Sequence, residues 1–74
     1  MRRWTAAERD LLFRAHPPTG KNPTTPEFER IARELDRTLD SVRSQSHRAR
    51  SIVLGNGTVG SQPLRDYLAR RGWL

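Results

Sequence analysis

Between Phe28 and Arg50 two predicted helices follow one another with only Asp36, Arg37 and Thr38 to separate them. Phe28, Ile31, Ala32 and Leu35 recur at helical spacing and give the first helix one apolar stripe, which reads as core. Thr38 is a good N-cap for the second, so the chain must turn sharply between them. Steps of about 100° per residue then bring Val42, Ala49 and Val53 together, with Gln45, Ser46 and Ile52 at the margins. Ser44, His47 and Ser51 lie opposite, flanked by Arg43 and Arg50 on one side and Arg48 on the other. Asp40 belongs to the same outer face, near the helix N-terminus. A core-facing helix followed by a basic helix with short polar tips is how a small protein presents a recognition surface to a major groove.

The chain has 74 residues and no cysteine, so it makes one small domain without disulfides or thiolate metal sites. His16 and His47 are too few and too separated to read as a metal site, and no cofactor is implied. Stability must come from helix packing around a few large residues, with Trp4, Phe13, Phe28 and Trp73 the clearest candidates. No stretch reaches the apolar length of a membrane span, and there is no apolar signal core at the N-terminus.

The net charge of +6 is unevenly spread. Residues 1–36 hold seven basic and six acidic groups, whereas residues 37–74 hold seven arginines against Asp40 and Asp66. A basic half beside a neutral half points to a polyanionic partner met mainly by the second half. A solvated basic surface is the plain alternative, but the charge coincides with a helix whose other outward residues are short and neutral.

Elsewhere the boundaries are marked locally. Thr5 and Glu8 form a capping box for helix 1, whose apolar face is Leu11, Leu12 and Ala15; Phe13 falls off that face and needs another partner. His16-Pro17-Pro18 stops the helix, and residues 16–25 are a loop. Thr25 is expected to cap helix 2 with Pro26 at its first position. Gly55 follows helix 3, residues 55–61 read as a connector, and Ser61, Gln62 and Pro63 start a fourth helix carrying Leu64, Tyr67 and Leu68. Gly72 closes that helix, and Trp73 and Leu74 are expected to pack on the domain or on a second chain. Met1 is consistent with a natural start.

Several spaced positions resemble the Myb/SANT-type repeat. Arg3-Trp4-Thr5-Ala6-Ala7-Glu8 resembles its opening, Phe28-x-x-Ile31-Ala32-x-x-Leu35 its second-helix core, and Arg37-Thr38-x-x-x-Val42-Arg43-Ser44 the start of its third helix. The match covers about residues 3–53. It implies three helices, the last two in a helix-turn-helix arrangement, base contacts from Arg43, Ser44 and His47, and an ion pair between Glu8 and Arg37. The family's second tryptophan is Phe28 here, and its third falls on Ser46, which leaves the inner face of helix 3 short of volume.

The expected fold is therefore all-α: a three-helix Myb/homeodomain-like helix-turn-helix bundle over residues 1–54, a connector over 55–61, and an additional C-terminal helix over 62–74. Its expected core includes Trp4, Leu11, Leu12, Phe28, Ile31, Leu35 and Val42. The expected partner is double-stranded DNA, with Arg43, Ser44 and His47 reading bases and Arg2, Arg3, Arg48, Arg50 and Ser51 on the backbone or in the minor groove. Such a protein would be intracellular and DNA-associated, in cytoplasm or nucleoid rather than a nucleus, and would regulate transcription, recombination or packaging. The alternative is a SANT-type protein-interaction module, or a homodimer, built on the apolar helix at residues 62–74. An enzyme is not expected, nor a small-molecule substrate. Glu8, His16 and His47 are the only acid–base candidates, without a nucleophile or phosphate loop beside them.

Overall fold

The computed structural model describes residues 3–55 and 62–74. Among these the chain is helical without strands: α1 (Ala6–Ala15), α2 (Thr25–Leu35), α3 (Leu39–Val53) and α4 (Gln62–Arg70). Arg2 and most of the expected connector, including Ser61, lie outside the described residues.

Local chemistry sets the helix ends. Thr5 accepts from the Glu8 N–H while the Glu8 carboxylate accepts from the Thr5 N–H, and Thr38 accepts from the Ser41 N–H. At α2 the expectation needs correction: Thr24, not Thr25, is the cap. Only Thr24 stands three residues before Glu27, whose carboxylate closes the reciprocal box at 2.9 Å. Pro26 accordingly moves to the second helical position, where its missing N–H is still harmless.

The turn after α2 is made by Asp36 in the left-handed conformation, φ 53°. Its N–H bonds the Arg33 carbonyl and the Arg37 N–H bonds the Ala32 carbonyl at 2.9 Å, so the last carbonyls of α2 are satisfied as the chain swings into α3. Gly72 repeats this closure after α4, with φ 82° and Trp73 N–H on the Leu68 carbonyl at 2.9 Å.

One apolar cluster joins all four helices. Leu12, Phe28, Ile31, Val42, Ala49 and Ile52 meet Leu64, Tyr67 and Leu68 from α4. Trp4, Leu11, Leu35, Leu39, Val53 and Trp73 are only partly buried against it. The expected face of α1 is shifted: Leu12 and Phe13 are buried, Leu11 is half-buried and Ala15 is exposed. The cause is α4, which covers a second side of α1; the Phe13 and Tyr67 rings stand 5.9 Å apart. Gln45 and Ser46, expected at the margin of α3, are inside it. Leu64 and Leu68 are fully enclosed within the one chain. Trp73 packs on the cluster, but Leu74 remains 56% exposed. Among the described residues no helix is long and apolar enough to cross a membrane.

Candidate nucleic-acid interface

The N-terminal end of α3 is held by an ion pair. Arg37 donates from Nε to Glu8 Oε2 at 2.8 Å and from Nη2 to Glu8 Oε1 at 2.9 Å, and Nη2 also reaches the Arg3 carbonyl at 2.7 Å. Both side chains are largely buried. The two-point bond from Arg37 holds the Glu8 carboxyl down at about 2. The same guanidinium lies over the Trp4 ring, 4.4 Å from its centroid, and the indole N–H donates to Ser41 Oγ at 3.2 Å. One arginine thus links the N-terminal arm, α1 and the turn into α3. The pairing implied by the family resemblance is present.

Further along α3, Arg9 Nε donates to Gln45 Oε1 at 3.0 Å. Burial lowers the Arg9 pKa from its ordinary value, and the bond fixes the rotation of α3 against α1. Sequence reasoning had assigned neither residue a role.

The outward face of α3 carries Ser44, His47 and Arg48 exposed, with Arg43, Arg50 and Ser51 half-buried along it. Among the described residues, the side chains of Arg43, Ser44, His47 and Arg48 make no hydrogen bond or ion pair. On a helical wheel Arg43, His47 and Arg50 fall within an arc of about 60°, whereas Arg48 lies about 140° round from Arg43. The two flanks have different neighbours. Arg48 borders an open hollow of about 760 Å³ shared with Trp4, Thr38, Asp40, Ser41 and Ser44, so the N-terminal arm lies on that side. Arg3, the arm residue within the described range, is exposed.

Arg50 is placed differently from the other arginines. Its Nη2 donates to the Gly20 carbonyl at 2.6 Å and its Nη1 to the Lys21 carbonyl at 3.3 Å. This guanidinium, expected on the DNA backbone, reaches back to the loop between α1 and α2. A guanidinium fork is suited to two adjacent oxygens.

Among the described residues no group of three or more histidine, cysteine or acidic side chains comes together to hold a metal. His16 instead faces Glu27, Nδ1 to Oε2 at 3.6 Å, across the ends of α1 and α2. Comparison of the chain with protein-family models, with curated proteins and with solved structures finds no match.

Proposed function

We propose that the chain is a Myb/SANT-like helix-turn-helix domain that binds double-stranded DNA through α3 with some sequence preference. The observation that carries this reading is the outward face of α3. Arg43, Ser44, His47 and Arg48 project from a helix whose inner side is locked by Gln45, Ser46 and Ala49 in the core. A rigid helix with uncommitted polar tips and excess positive charge suits the edges and phosphates of a major groove. Arg43 reads a base edge, preferably the O6 and N7 of guanine, and Ser44 and His47 make neighbouring contacts. Arg48 and Ser51 meet phosphates, and Arg2 and Arg3 extend the contact toward the adjacent minor groove. The burial of Leu64, Tyr67 and Leu68 in the core supports this reading over a docking module at α4.

Selection of bound duplexes from a random pool, read at two salt concentrations, tests the proposal. The expected result is an enriched motif and an affinity that falls steeply with salt. A pool that shows neither would rule it out. Transcription, recombination and packaging are the processes such a domain would serve.

A further inference from the structure

The loop between α1 and α2 is longer than a simple connection requires, yet it is fixed at several points. Pro18 is fully buried, the Gly20 N–H closes a turn onto the Pro17 carbonyl at 2.9 Å, and Arg50 grips the carbonyls of Gly20 and Lys21. His16 and the Thr24–Glu27 box hold its two ends. A loop anchored this way has a set position relative to α3. Arg50 stands on the same flank of α3 as Arg43, within about 20° on the wheel, so the loop borders the flank opposite the one shared with the N-terminal arm. Between these anchors the chain carries its one lysine, Lys21, exposed to solvent.

We infer that Lys21 is a phosphate contact of the α3 interface and that Arg50 acts through it, as the residue that positions the loop. The inference rests on the DNA-binding reading above and adds to it a second contact element beside α3. An ammonium on a long stem is suited to a single phosphate oxygen, whereas the Arg50 fork is occupied by backbone carbonyls.

The test compares the wild type, Lys21→Gln, Lys21→Arg, Arg50→Gln and the Lys21→Gln/Arg50→Gln double variant on one duplex over a range of salt. Lys21→Gln should lower the slope of log affinity against log salt by about one unit, and Lys21→Arg should leave it intact. Arg50→Gln should lower it by about one unit in the wild-type background and by almost nothing once Lys21 is gone. Losses that sum to about two units in the double variant would mean that Arg50 meets a phosphate itself, and would overturn the proposal. So would an unchanged slope for Lys21→Gln, a change on an exposed loop that leaves the core untouched even if Arg50→Gln proved unstable. Binding that still depends on Arg43 while Lys21→Gln has no effect sinks only the loop contact. A wild type with no salt-dependent affinity for duplex sinks both readings.

Discussion

Tyr67 Oη donates a 2.6 Å hydrogen bond to Asp10 Oδ1 and so ties α4 to α1 across 57 residues of sequence. Arg71 donates to the other carboxylate oxygen at 2.8 Å. The phenol bond, helped by Arg71, lowers the Asp10 pKa below its ordinary value. Burial, together with the bond to Asp10, pushes the Tyr67 phenol up to about 12 from an ordinary 10.0.

The chain has a single tyrosine, so this shift can be read directly from phenolate absorbance. Because the folded state holds the phenolic proton more tightly than the unfolded state, the associated stability is fully present below pH 10.0 and lost as pH rises toward about 12. Tyr67→Phe should lower the thermal midpoint at neutral pH, keep the packing against Phe13, and remove this alkaline loss. A phenol that titrates at its ordinary value in the folded protein would show that the bond to Asp10 is absent.

Glu8 gives the opposite dependence at acid pH. Its carboxyl is lowered to about 2 from 4.5, so its contribution is complete above pH 4.5 and disappears as pH falls toward about 2. Denaturant melts of the wild type should weaken across that window. Glu8→Gln should be less stable at pH 7 and show a shallower acid decline, and equal declines would show that Arg37 does not hold the carboxylate.

Phe28→Ala removes a large buried ring from the centre of α2 and should cost about 3–5 kcal/mol. In a domain of this size that approaches the whole stability, so circular dichroism should show most molecules unfolded at room temperature. An unchanged thermal midpoint would contradict the burial of this side chain.

On DNA, Arg43→Ala should weaken binding to the preferred site by about 1–3 kcal/mol and relax the preference at one base pair. Arg48→Ala should weaken all sequences alike and lower the salt slope by about one unit. Equal losses on preferred and random duplexes for both variants would contradict this division of roles.

Much of the architecture was legible because it is written in local signals. Thr5, Glu8 and Thr38 mark helix starts within a span of four residues, and the apolar stripe of Phe28, Ile31 and Ala32 needs only one partner surface. The cap of α2 was misplaced by one residue because two threonines stand side by side and Pro26 tolerates either register. On α1, periodicity presumes one buried face, but the helix is covered on two, so Phe13 and not Ala15 is inside. The outward residues of α3 follow from its wheel once its inner face is known. The bonds of Arg50 to Gly20 and Lys21, and of Arg9 to Gln45, bridge about thirty residues or more. No spacing rule announces contacts of that kind, since a long flexible side chain can reach many partners.

The enclosure of Leu64 and Leu68 in the core has a consequence for how the molecule is made. The inner side of α3 carries the small Ser46 and Ala49, and part of the core's enclosed volume comes from Leu64 and Leu68, about twenty residues after Ser46. During synthesis α1, α2 and α3 therefore emerge before the side chains that shut their core have been made. A chain halted before residue 64 would leave the side chains that Leu64, Tyr67 and Leu68 cover open to proteases.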